Sequence, residues 1–225
     1  MKTIQSIDKA MHILDYIAEH NGQATLTDIS RSLQIAVTTI HGFLSTLEFW
    51  NIIYKDESGR YSLGGKLFQL SLFCQPQHQV LSLLHPTLHK LAAEFQETLH
   101  LGIAMGDQLV YADRAEPNRP FRITAVAGET VPYYDSAIGL IIKAANNETI
   151  PQEYLTLCNN LARDGYCLKF EPDMDAYCVG IPFLQPGLPC VAGFSVVLPQ
   201  EFCTPERVTH IVTHTRNAFQ TIAQA

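Results

Sequence analysis

Apolar residues in the first third of the chain recur every three or four positions, the period of helices that bury one face. Ile7, Ala10, Met11, Leu14, Ile17 and Ala18 form one such stripe, with Ser6 placed to cap the helix and Asn21-Gly22 to stop it. Thr25-Leu26-Thr27-Asp28 opens a second helix, since Thr25 and Asp28 stand at capping-box spacing with Asp in the place of Glu. Ile29 and Leu33 face inward from it, and Gln34-Ile35-Ala36 reads as a turn. A third helix from Val37 to Phe49 aims Ile40, Phe43, Leu44 and Leu47 at the same core, which leaves Thr38, Thr39, His41, Gly42, Ser45 and Glu48 outside. The pattern then becomes that of a hairpin: Ile52-Ile53-Tyr54 and Tyr61-Ser62-Leu63 bracket Asp56-Glu57-Ser58-Gly59, with Lys55 and Arg60 flanking the turn.

Three helices and a hairpin outline a winged helix-turn-helix, a unit whose third helix enters the DNA major groove. Thr38, Thr39, His41 and Ser45 are then the candidates to face bases, and Lys55 and Arg60 the candidates to hold phosphates. The same topology also serves self-association alone, and the third helix contains no Lys or Arg. On pattern alone both uses stay open.

Downstream, Gly64 to Phe73 reads as an apolar helix that Gln75-Pro76-Gln77 ends, and Pro86 reads as the start of another carrying Leu88, Leu91, Ala92 and Phe95. Short strands follow at Leu99 to Ala104 and Gln108 to Ala112, joined by Met105-Gly106-Asp107, and at Arg122 to Val126 before Gly128. Helices are predicted at Ser136 to Asn146 and Gln152 to Ala162, and strands at Cys167 to Phe170, Tyr177 to Phe183 and Val191 to Leu198. Thr204-Pro205-Glu206 starts a final helix with Val208, Ile211, Val212, Thr215, Phe219 and Ile222 on one face. The expectation is an α+β chain: a winged unit at 1–63, a linker helix at 64–77, and at 78–225 a mostly antiparallel sheet flanked by helices, a ligand-binding type of domain. Within it, the first turn formed by Ser136, Ala137, Ile138 and Gly139 has free N–H groups and a dipole that favour a carboxylate, and its small residues let a ligand approach. Cys178 and Ser195, on strands expected to be neighbours, add hydrogen-bonding groups. Each has a plainer use: Cys178 as core, Ser195 bonded to a neighbouring strand, Ser136 as an ordinary cap.

Charge and composition narrow the classes. The net charge is −7, and up to Phe73 six Lys and Arg stand against seven Asp and Glu, so a DNA-binding unit here would be near-neutral. That predicts modest affinity and a shallow salt dependence unless two copies bind together. No apolar run is long enough for a membrane span, and Met1 to Ile7 lack a secretory pattern, so a cytoplasmic protein with no membrane partner is expected. None of the six cysteines forms a C-x-x-C pair, and most are expected to be reduced and buried. His85 with His89 and His210 with His214 have helical spacing but no H-E-x-x-H motif, so they read as solvated faces and no metal is expected. Nucleotide-binding and serine-hydrolase motifs are missing as well, so neither catalysis nor a cofactor is expected.

Four words in the first part carry a resemblance: Ile4 to Ala10, Leu26 to Ser30, Thr38 to His41 and Arg60 to Gly64. Four more lie in the second: Gly128 to Pro132, Asp135 to Gly139, Asp175 to Pro182 and Ala192 to Val196. In these the chain resembles the IclR family of transcriptional regulators. The resemblance implies a winged helix-turn-helix bound as a dimer or tetramer to a palindromic operator in double-stranded DNA, joined to a GAF-like effector-binding domain. It implies a repressor-type regulator whose pocket takes a small organic acid or an aromatic, near Ser136 to Gly139, Cys178 and Ser195. Dimer contacts fall to the Ile7 to Ala18 helix and the Gly64 to Phe73 helix. This chain departs from the family pattern at Ala36-Val37, at Gly42 where an Arg is usual, at Asn51 where a Gly is usual and at Leu140 where a Lys is usual. Gly42 also costs the third helix about 1 kcal/mol relative to Ala. The alternative these departures raise is a ligand-binding oligomeric protein that has lost specific DNA recognition.

Overall fold

The computed structural model describes residues 3–73, 75–117, 128–156 and 164–224. The chain divides into two compact units, Met1–His78 and Gln79–Ala225.

The first unit runs α1 (Gln5–Glu19), β1 (Ala24–Thr25), α2 (Leu26–Leu33), α3 (Val37–Phe49), β2 (Ile53–Lys55), β3 (Arg60–Leu63) and α4 (Gly65–Ser71). The expected three helices and hairpin are present, and β1 adds a third antiparallel strand to give the order β1-β3-β2. Ile13, Ile17, Ile29, Ile40, Leu44, Leu47, Ile53 and Tyr61 form the core. Local chemistry sets the boundaries. Asn21 and Gly22 both take positive φ to turn the chain after α1. Thr25 and Asp28 close a full capping box at α2, and Gln34 in the left-handed region starts the turn into α3. Asn51, with φ 55°, ends the turn after α3 in the conformation a glycine would otherwise supply. Two expectations need correction. Ser6 lies inside α1, whose cap position is Ile4 and makes no side-chain cap bond. The α1 stripe is also rotated: Ile13 and Ile17 enter the core, while Ile7 and Met11 are exposed.

The second unit is a six-stranded antiparallel sheet of order β6-β5-β4-β9-β8-β7. Its strands are β4 (Thr98–Met105), β5 (Gln108–Ala115), β6 (Thr130–Pro132), β7 (Cys167–Glu171), β8 (Ala176–Phe183) and β9 (Ala192–Pro199). One face packs against α5 (Gln75–Phe95) and α8 (Pro205–Ala223): Leu84, Leu88 and Phe95 from α5 and Ile211 and Phe219 from α8 meet Leu101, Ile181, Phe183 and Phe194. The other face is covered by α6 (Ala137–Ala145) through Ala137, Leu140 and Ile141, and α7 (Gln152–Thr156) follows it.

Pro86 corrects another expectation, because it lies inside α5 rather than at a helix start. It removes one backbone donor from the helix, but the apolar face of α5 is long enough to hold the helix continuous through it. Likewise Gln75-Pro76-Gln77 begins α5 instead of separating two elements, with Pro76 in the first turn where its missing N–H is not needed. The strand expected at Arg122 to Val126 lies outside the described residues, as do Cys74, Cys158 and the end of the helix expected at Gln152 to Ala162. No helix among the described residues is long and apolar enough to cross a membrane.

Candidate nucleic-acid interface and effector site

Helix α3 buries Ile40, Leu44 and Leu47 and thereby turns Thr38, Thr39, His41 and Ser45 outward, all four exposed. His41 Nδ1 and Ser45 Oγ lie 3.5 Å apart, one turn from each other. Gly42 sits between them with open space where a side chain would begin. The hairpin turn is tied by Asp56 Oδ1, which accepts from Ser58 N at 2.9 Å and Arg60 N at 2.8 Å. Lys55 and Arg60 are both exposed. The Lys55 ammonium lies over the Tyr61 ring, 5.6 Å from its centroid, and the Arg60 guanidinium donates to Gln23 Oε1. Both cations are thus displayed beside the hairpin, with Arg60 partly engaged by its own unit.

The second candidate site is built by strand register. Antiparallel pairing aligns His100 with Ser195 across β4 and β9, and Ser195 with Gly180 across β9 and β8. Cys178 pairs with Lys169 on β7. These residues lie on the sheet face that α6 covers. Ser136 caps α6, its Oγ accepting from Ile138 N at 3.2 Å. The Tyr111 hydroxyl, from β5, donates to the same oxygen at 3.1 Å. Lys169 Nζ donates to the Asp135 carbonyl at 3.1 Å and to Glu171 Oε1 at 2.5 Å. Ser136, Ala137, Ile138, Gly139, Cys178 and Ser195 are all buried, so the structure gathers the predicted residues at one helix-sheet junction.

The small residues have a different use from the expected one. A Cβ on Gly139 would lie 2.0 Å from the Tyr133 carbonyl oxygen, and one on Gly180 would lie 2.5 Å from the Ala137 carbonyl oxygen. Glycine at these positions lets α6 sit directly on backbone. It does not open room for a ligand there.

Beside the Lys169–Glu171 ion pair, three groups of the junction are held uncharged. Burial, helped by the charge of Arg114, pushes the His100 imidazole down to about 4. Burial pushes the Tyr111 hydroxyl up to about 12. Burial and then the Glu171 carboxylate push the Cys178 thiol up to about 12, against a hydrogen bond with Ser195. At neutral pH these groups are uncharged donors and acceptors. They suit recognition of a polar molecule, and Cys178 is not held as a thiolate nucleophile or sensor. Cys178, Cys190 and Cys203 are free thiols, whereas Cys167 is disulfide-bonded.

Sequence reasoning missed His100, Tyr111, Lys169 and Glu171. Their only local signal is a polar residue alternating with apolar ones along β4, β5 and β7. The histidine pairs are exposed as expected, but each meets a carboxylate: Asp113 beside His85 and His89, and Glu94 beside His210 and His214.

The profile of the IclR helix-turn-helix domain matches residues 6–57, and that of the bacterial transcriptional regulator IclR C-terminal domain matches residues 75–163. The chain belongs to the IclR family. Members of this family are transcriptional regulators. The HTH-type transcriptional regulator XynR of Escherichia coli is 30% identical over 145 residues, a stretch covering 64% of this chain and 58% of XynR. The chain spans little more than half the length of the first curated relatives it matches. Among solved structures, the Thermotoga maritima IclR superposes with a TM-score of 0.74 at 21% identity, covering 99% of this chain and 98% of that one. An IclR homolog from Microbacterium hydrocarbonoxydans, complexed with 4-hydroxybenzoate, gives 0.76 at 17% identity, covering 97% of this chain and 98% of that one. Both likenesses concern the fold alone: a unit of helices with a small sheet, and an antiparallel sheet with helices.

Proposed function

We propose that this chain is a DNA-binding transcriptional regulator of the IclR type, a repressor in its simplest form, whose operator binding is modulated by a small organic acid or aromatic metabolite. The observation that carries this is the exposed row Thr38, Thr39, His41 and Ser45 on a third helix whose opposite side is fully engaged in the core. Thr38, Thr39, His41 and Ser45 read base edges; Lys55 and Arg60 hold phosphates. With so few cations the unit works as two copies on a palindromic site. Ile7, Met11, Phe68 and Phe73 are exposed at 57%, 52%, 64% and 82%, which suits α1 and the α4 region to hold a homodimer or tetramer together. The loss of specific DNA recognition is not favoured, since the IclR helix-turn-helix family model matches residues 6–57, a range that includes α3.

The effector lies beside the α6–sheet junction, near Ser136, Cys178 and Ser195, with His100 and Tyr111 added, while Ala137, Ile138 and Gly139 seat α6 on the sheet and backbone. Support comes from the row of uncharged polar groups there and from the relative complexed with 4-hydroxybenzoate. Ligand binding shifts the assembly between arrangements only as far as its affinities for them differ. We assign no catalytic step and place the protein in the cytoplasm.

Fluorescence anisotropy with DNA from upstream of the chain's own coding region tests this. The expected result is competitor-resistant binding at about 10⁻⁸ M or tighter, weakened by His41→Ala and shifted by one member of a panel of small carboxylates that includes 4-hydroxybenzoate. Binding only at about 10⁻⁴–10⁻⁶ M, unaffected by His41→Ala, rejects it.

A further inference from the structure

We propose that His85, His89 and Asp113 form a binding site for a late first-row divalent metal ion, with zinc as the reference case. His85 and His89 stand one turn apart on α5 and so share a face; their ring centroids are 4.5 Å apart. Asp113 comes from β5, with Oδ2 2.5 Å from His85 Nδ1. Each residue offers one ligand atom, and these atoms all lie within 4.8 Å of one another. An ion bonded at about 2.0–2.2 Å to each needs only side-chain rotation to draw them in.

Two features make this more than a chance meeting of exposed side chains. Asp113 reaches α5 because of a β-bulge: register shifts opposite Leu101 and Gly102, so Tyr111 pairs with Gly102 and Asp113 with Leu101. Residues two apart on a strand normally share a face. Here the extra residue sends Tyr111 to the α6 side, where it meets Ser136, and Asp113 to the α5 side, where it meets His85. The carboxylate is also oriented, since its Oδ1 accepts from Arg114 N at 2.8 Å and Oδ2 is left toward the histidines. Its side chain is only 17% exposed. Two imidazoles and one carboxylate favour zinc, nickel or copper over calcium or magnesium, which prefer all-oxygen sets. The bound ion would clip α5 to β5, two residues from Tyr111, and would leave coordination positions to water.

Glu94, His210 and His214 offer the same donor types, but all three are exposed. The test is therefore made on the full chain carrying His210→Ala and His214→Ala, stripped of metal and kept with a non-thiol reductant. Zinc chloride is titrated calorimetrically. The expected result is one saturable equivalent, with affinity reduced at least tenfold by His89→Ala and by Asp113→Asn. Zinc raises the melting temperature of the parent protein and not of either variant, and metal-free circular dichroism verifies that all three are folded. Absence of a saturable equivalent in the parent, or binding unchanged by both substitutions, overturns the proposal. Should His89→Ala fail to fold, the Asp113→Asn comparison decides alone.

Discussion

The Tyr111 hydroxyl donates to Ser136 Oγ across 3.1 Å, and the same oxygen accepts from the Ile138 N–H at 3.2 Å. One side-chain oxygen thus closes the first turn of α6 and fastens that turn to β5. Ser136→Ala removes both bonds and is expected to cost about 1–2 kcal/mol, the range for a lost cap and hydrogen bond. Tyr111→Phe removes one and costs about 1 kcal/mol. Because the bonds share an atom, the double variant should be less destabilised than the sum, with a coupling of at least about 0.5 kcal/mol. Urea unfolding of the four proteins measures it; strict additivity would show that the contact carries no energy.

Gly139→Ala should destabilise although alanine is the better helix former. Its Cβ would lie 2.0 Å from the Tyr133 carbonyl oxygen. Helix propensity returns up to about 1 kcal/mol, while forced separation of packed backbone costs about 1–3 kcal/mol. A lowered urea midpoint is expected, and a raised one would mean that α6 can move away freely.

His100 gives the fold a calculable sensitivity to acid. Its folded-state pKa is held at about 4, against 6.5 for the free side chain. During acidification the unfolded chain takes up the proton first. The stabilisation is therefore complete above pH 6.5 and is lost as pH falls through about 4. The full effect is about 3 kcal/mol. Unfolding free energies of wild type and His100→Phe between those limits should diverge in slope, the variant being flatter. Parallel slopes would place the imidazole in a solvated setting.

Gly42→Arg should strengthen DNA binding. Position 42 is exposed on α3 with nothing within 4 Å of a new Cβ, so an arginine enters without displacing a neighbour. One added phosphate contact steepens the dependence of log affinity on log salt by about 0.9. Anisotropy titrations at several salt concentrations read this slope. An unchanged slope would mean that position 42 does not face the duplex backbone.

The first unit was legible because its elements announce themselves locally. Thr25 and Asp28 fix a helix start, Asn21-Gly22 a stop, and the period through Ile40, Leu44 and Leu47 assigns the exposed face of α3. Where a helix is apolar on two sides the period fails to say which side is inside, as Ile7 and Met11 against Ile13 and Ile17 demonstrate. In the second unit, central strands β8 and β9 are buried on both faces and display almost no alternation. The residues around Ser136 were found through a helix start, a local signal. His100, Tyr111 and Lys169 were not, because long-range register brings them there. Pro86 misled for a related reason: a proline reads as a boundary unless the packing of the whole helix is known.

The bulge in β5 has a consequence for how this chain tolerates change. Which layer receives the tyrosine and which the aspartate is decided by a single surplus residue, and not by any property of the two side chains. Deleting Ala112 would make the two residues adjacent, and since neighbours along a regular strand face opposite sides, the pair would keep both layers while the bulge disappears. Loss of Ala112 should therefore be tolerated far better than loss of a residue elsewhere in β5, where a slip by one turns the following side chains to the other face.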